Sequence, residues 1–325
     1  MTKNFKIITL LLVGLIFISI IANLNIGFVQ LHWNDFFNNT TENPIAQLRI
    51  NRVIAMLFAG IAIPTSGFLL QEYFQNPLAG PSVLGITSVA SLSVAVFIFF
   101  SQNWIIPEIL QNSFLSIFAI AGSLLMMFIL LGFSNRFPDK SFIIIFGFLI
   151  SALAGALVSI LQLYANNQSL RNYILWSFGA NNILSTNQIY ILGIIVLLGL
   201  GISLKTIKPL IGNSLGSQYA QSLGVNLNQL KVLIILSSSL LSAGISAFLG
   251  PILFIGIIVP HFCRMIYNPA QLWQQWILNM LMGILIMQGF SVLSEWTKLP
   301  LNVITSLFGI PVILLMLIRS PKYSS

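Results

Sequence analysis

Phe142 to Tyr164 reads FIIIFGFLISALAGALVSILQLY, a stretch without a single charged residue. A bilayer core of about 30 Å takes about 20 apolar residues of α-helix to cross, and this segment is long enough. Gly147, Ser151, Gly155 and Ser159 recur in it at every fourth position, so they share one helix face. Small side chains let backbones approach where lipid supplies no hydrophobic drive. The stripe fits bundle packing or, alternatively, the lining of a wide pathway or subunit interface. A second row, Ser238, Ser242, Ser246 and Gly250, has the same spacing.

Working outward in both directions, similar apolar segments lie near 7–29, 52–71, 82–100, 113–132, 187–206, 229–249, 251–267, 274–294 and 302–319. With the first they make about ten transmembrane helices. The fold class is all-α, a polytopic membrane bundle forming a single transmembrane domain over residues 1–325. Composition agrees: 57% of residues are hydrophobic and 6% charged, against about 25% charged in soluble chains. Mean hydropathy is +0.95. Lys3 and Lys6 precede the first apolar run, which is long and lacks an A-x-A site, so it reads as a first membrane helix rather than a cleaved leader.

The net charge of +8 does not indicate a nucleic-acid binder, because the cations are scattered singly between apolar runs. They read instead as orientation signals. With a cytoplasmic N-terminus, Lys3, Lys6, Arg136, Lys140, Lys205, Lys208, Lys231, Arg264, Arg319 and Lys322 fall on the cytoplasmic side. Only Arg49, Arg52, Arg171 and Lys298 fall outside, which satisfies the positive-inside rule. An even helix count returns the C-terminus to the cytoplasm. The chain has no Walker A sequence and no metal-ligand spacing, so neither ATP, another cofactor nor a metal is expected to bind it directly. Carboxylates are nearly absent from mid-span positions, which disfavours the alternative of an ion-coupled secondary transporter. No cluster of catalytic residues marks it as an enzyme.

Three stretches break the apolar pattern. Gln75-Asn76-Pro77-Leu-Ala-Gly-Pro81 predicts a tight turn between spans two and three. Residues 211–228, IGNSLGSQYAQSLGVNLN, are too polar to span. Ser214 is placed to cap a short helix through Gln221, and Gly224 to end it in a left-handed turn. Such a helix without Lys or Arg suits a soluble partner better than lipid headgroups. The third stretch, Gly250 to Arg264, holds Pro251, Gly256 and Pro260 and predicts an irregular span, with His261 and Arg264 on one face.

These stretches resemble the bacterial permease family that imports iron-siderophores, haem and cobalamin, the FecCD-like subunits of type II ABC importers. The matching pieces are LRINR at 48–52, Ser66-Gly67 with Gln71, NPLAGPSVLG at 76–85 and Trp176 with Gly179. AQSLGVN at 220–226, GPILFIGIIVPHFCR at 250–264, LPLNVITSLFGIPV at 299–312 and Arg319 follow. The resemblance implies a fold similar to the vitamin B12 importer permease and a homodimer with the substrate path on its two-fold axis. It also implies two separate ATPase subunits that bind the ATP, and a periplasmic or lipid-anchored binding protein outside the cell membrane.

On this resemblance Ser214, Gln218, Ala220, Gln221, Ser222, Leu223, Gly224 and Val225 are the ATPase-coupling residues. Arg49, Arg52 and Lys298 are expected to dock the binding protein. Asn76, Pro77, Gly147, Ser151, Gly155, Ser159, Gly250, Pro251, Pro260, His261, Arg264, Gly309 and Pro311 are pathway or structural positions. Three departures stand out: Asn51 replaces the proline of LRLPR, Pro64 lies inside span two, and Asn213 and Gln218 replace common acidic residues. The substrate itself is not legible.

Overall fold

The computed structural model describes residues 3–27, 29–32, 34–37, 43–101, 107–136, 140–179, 184–269 and 271–319; the expected cytoplasmic Lys322 lies outside them. Among the described residues, ten helices build the body of the bundle, seven of them long and three shorter. They are α1 (Lys3–Asn25), α3 (Pro44–Phe74), α4 (Ile86–Phe100), α5 (Glu108–Arg136), α6 (Lys140–Leu163), α8 (Thr186–Ser214), α10 (Leu227–Leu249), α11 (Ile255–Ile266), α12 (Leu272–Thr297) and α13 (Leu301–Arg319). Three short helices sit at the ends: α2 (Asn34–Phe37), α7 (Asn167–Ser177) and α9 (Ser217–Ser222). Seven helices are long and apolar enough to cross a membrane, and α4, α11 and α13 are shorter apolar helices.

The hub is α3. Asn43 Oδ1 accepts from the N–H groups of Ile45 and Ala46, and Pro44 takes the first helical position, so the helix starts eight residues before the expected span. It is 31 residues long, about 46 Å, and stays continuous through Pro64. Two glycine crossings set its neighbours. A methyl group on Gly67 would lie 1.7 Å from Gly256 O of α11, and one on Gly283 of α12 would lie 2.1 Å from Gly60 O. Backbone therefore touches backbone at both places, which only a missing side chain allows.

Around α3 the buried apolar side chains form two clusters. One joins α1, α3, α8, α10 and α12 through residues such as Met56, Ile63, Leu192, Leu241 and Met287. The other joins α3, α5, α8 and α10 through Phe68, Leu130, Leu210 and Ile234. Ile207 and Leu210 in that second cluster explain why α8 runs eight residues past its expected end and through Pro209.

The eighth expected span is a half-helix. Residues 251–254 are not helical, and α11 is 12 residues long, about 18 Å, too short to cross alone. Irregular backbone at membrane depth is tolerated only where protein covers it. Here the cover is specific: a methyl group on Gly250 would lie 2.6 Å from Trp176 O, and one on Gly309 of α13 would lie 2.8 Å from Phe254 Cβ. Asn302 Nδ2 donates to Ser177 O at 2.6 Å and its backbone N–H to Phe178 O at 3.2 Å. The Trp176–Gly179 and Leu299–Val312 motifs thus wrap the entrance to α11.

Candidate functional site: the two ends of the bundle

At the end formed by the C-termini of α3 and α8, the polar segment 211–228 makes a compact lever. Ser214 does not cap a helix as expected; it is the last residue of α8, and its Oγ donates to Ile211 O at 2.7 Å. The short helix α9 starts after Gly216 instead. Its end follows the expectation: Val225 N–H donates to Ala220 O at 3.0 Å and Gly224 N–H to Gln221 O at 2.9 Å, with Gly224 at φ 79°. That pair of bonds is a Schellman closure, which needs a left-handed residue at Gly224. Ala220 is fully buried, in contact distance of Gly212, so it holds the lever to α8. Gln218, Gln221 and Ser222 are exposed and Val225 is half-buried. The large apolar groups offered outward are Leu215, Tyr219 and Leu223, each at least half exposed.

The same end is knitted by charges. Arg264 Nη2 meets Glu72 Oε1 at 2.8 Å and Nη1 donates to Gln71 Oε1 at 3.1 Å. Gln71 Nε2 donates back to Ile257 O at 3.2 Å, which ties α11 to the end of α3. Asn213 is not a docking position: it is buried, with Nδ2 on the carbonyl of Tyr73 at 3.3 Å and Oδ1 accepting from Lys140 Nζ at 2.9 Å. His261 is half-buried beside this cluster, and no group of three metal-ligating side chains exists among the described residues.

Asn76 Oδ1 accepts from Leu78 N–H at 2.9 Å, and Pro77 completes the expected turn. The loop then packs on α6: a methyl group on Gly147 would lie 2.7 Å from Leu84 Cα, and Ser151 Oγ donates to Ser82 O at 3.3 Å. The stripe is therefore two different surfaces. Gly147 and Ser151 are packing positions, whereas Gly155 and Ser159 are exposed and Gly155 has open space before it. Pro251, Pro260 and Pro311 lie in or beside the α11–α13 contact region, Pro260 and Pro311 inside their helices.

At the opposite end, Arg49 and Arg52, expected to dock a binding protein, turn inward in this chain. Both lie on α3, one turn apart, and are only 5% and 3% exposed. Arg49 Nη1 donates to Leu24 O at 2.9 Å and its Nη2 to Val29 O. Arg52 Nη2 donates to Asn23 O and to Ile26 O at 2.8 Å, while Nη1 meets Glu295 Oε1 of α12 at 2.8 Å. The two guanidinium groups close the C-terminal end of α1, where orphan carbonyls and the helix dipole favour cations. Both guanidinium groups are thus engaged within the chain. Asn51 belongs to the same helix rather than to a loosened turn; its Nδ2 donates to Leu184 O at 2.8 Å. Lys298, left-handed at φ 60° after α12, is exposed as expected.

Sequence reasoning missed Glu295, which charge bookkeeping could have found: it is an acidic residue at the end of a span on the same side as both arginines.

Residues 12–319 match the family model described as the FecCD transport family. The chain belongs to that family. Relatives within or near it include the hemin transport system permease protein HmuU of Yersinia pestis, 28% identical over 96% of this chain and 95% of that one. The vitamin B12 import system permease protein BtuC of Photorhabdus laumondii is 30% identical over 98% of this chain and 93% of its own length. Among solved structures, a metal-chelate type ABC transporter in an inward-facing conformation superposes with TM-score 0.84 at 25% identity, covering 97% of this chain and all of that chain. The FecCD assignment agrees with an all-helical, multi-pass membrane protein of the B12-importer-permease kind.

Proposed function

We propose that this FecCD-family chain is the membrane-spanning subunit of an ATP-driven importer for an iron-siderophore, haem or corrinoid. Two copies would enclose the path, two separate ATPase subunits would hydrolyse the ATP, and a binding protein would deliver substrate at the Lys298 end. The chain would reside in the bacterial inner membrane with both termini cytoplasmic, so that α9 faces the cell interior. The half-open faces of α6 and α13, with Gly155, Ser159, Leu307 and Phe308 exposed, support a role beside the path or at the two-fold contact.

The observation that carries the ATPase reading is the lever itself. A rigid short helix, anchored by buried Ala220, displays Leu215, Tyr219 and Leu223 where a soluble groove can cover them. Apolar groups on a polar, uncharged segment are poorly suited to headgroups, which select basic faces. Co-purification with the ATPase encoded alongside tests this. Leu223→Asp or Tyr219→Asp should lose the ATPase while the permease stays folded; retained ATPase in both would refute the assignment.

A further inference from the structure

We propose that the cavity beside the lever is a binding site for a phosphate-bearing anion. It measures about 860 Å³ and lies between the ends of α3, α5 and α8 and the starts of α6 and α10. Two lysines line it, Lys140 and Lys231, and the described lining contains no carboxylate. Lys231 is 7% exposed, and among the described residues its ammonium has one acceptor, Ser134 O at 2.9 Å. Lys140 Nζ donates to Tyr73 O at 2.8 Å and Asn213 Oδ1 at 2.9 Å. An ammonium has three protons, so both lysines keep donor capacity. Asp139, next to Lys140 in sequence, lies outside the described residues.

Holding two cations, one buried and one half-buried, in one concavity costs solvation, and neither is matched by a carboxylate within the described wall. The remaining lining is neutral and mixed: Ser217, Gln221 and Asn228 can hydrogen-bond, whereas Val225 and Leu227 are apolar. The first turn of α10 also opens there, with Asn226 Oδ1 engaged by Gln229 N–H at 3.0 Å. A doubly cationic, donor-rich concavity of this size fits an anionic small group better than a flat protein contact. Both lysines sit near the starts of long apolar helices, so an anionic phospholipid or a soluble phosphate compound could supply the group.

The test uses the full-length chain in detergent, titrated separately with phosphatidylglycerol, phosphatidylcholine and inorganic phosphate by native mass spectrometry and thermal shift. Saturable phosphatidylglycerol binding unaffected by phosphate identifies a lipid source; stabilisation by inorganic phosphate identifies a soluble one. Asn228→Glu puts a carboxylate into the cavity at an early helical position where Glu is favoured, so the fold is retained. It should weaken the bound anion at least about tenfold, as should Lys231→Gln. Absence of binding by every probe overturns the proposal, and so does unchanged affinity in Asn228→Glu. Loss of ATPase capture with no anion bound to the wild type would assign the cavity to a partner's carboxylate and also overturn it.

Discussion

Among the described residues, the two ends of this bundle each hold one arginine–glutamate pair, and the pairs have the same length but not the same environment. Arg52–Glu295 is sealed, with side chains 2% and 5% exposed; Arg264–Glu72 is half open, at 26% and 18%. Both are 2.8 Å contacts. A sealed pair has lost its water and depends on its partner, whereas an open pair trades partner for solvent at small cost. One end is thus locked by charge, and the other is only steadied by it. That asymmetry suits the proposed role, in which the lever end would respond to a soluble ATPase.

The strongest way to break the comparison is Glu295→Ala, which leaves Arg52 buried without its carboxylate. A loss of about 3–5 kcal/mol is expected in thermal or denaturant unfolding in detergent. Replacing both partners, Arg52→Met with Glu295→Met, should recover much of that loss, and a double as damaging as the single would show that the pair is not the cause. Next comes the middle of the molecule. Gly67→Ala forces α3 away from α11 and should cost about 1–3 kcal/mol, read from the same unfolding curves. Glu72→Ala should cost about 1 kcal/mol or less, because Arg264 can turn to water and still reach Gln71. The smallest effect is ionic: raising salt to about 1 M, where the screening length falls to about 3 Å, should erase the difference between Glu72→Ala and the parent but leave the Glu295→Ala deficit standing.

The long apolar helices were readable because lipid imposes one simple demand, about 20 apolar residues per crossing. Span 142–164 is the clearest case, differing from α6 by one or two residues. Reading failed where protein rather than lipid surrounds the chain. Residues 44–51 are too polar to look like a span, yet Asn43 and contacts to α8 make them helix. Residues 251–254 are apolar enough to look like one, yet covering by α7 and α13 lets them stay non-helical. At the lever, the turn at Gly224 was legible from local chemistry, but the inward orientation of Ala220 was not, since only the packing of α8 decides it. For the arginines, the residue type pointed to carboxylate recognition; Arg52 meets the chain's own Glu295, and Arg49 meets carbonyls at the end of α1.

The brevity of α11 has a consequence for biogenesis. A twelve-residue helix preceded by non-helical backbone is too short to cross a bilayer core as a free rod. It must enter as cargo of its longer neighbours and settle only once residues 176–179 and 302–309 have closed over it. The centre of the molecule is therefore among the last parts to become native, and whatever loosens α7 or α13 leaves that centre unfinished.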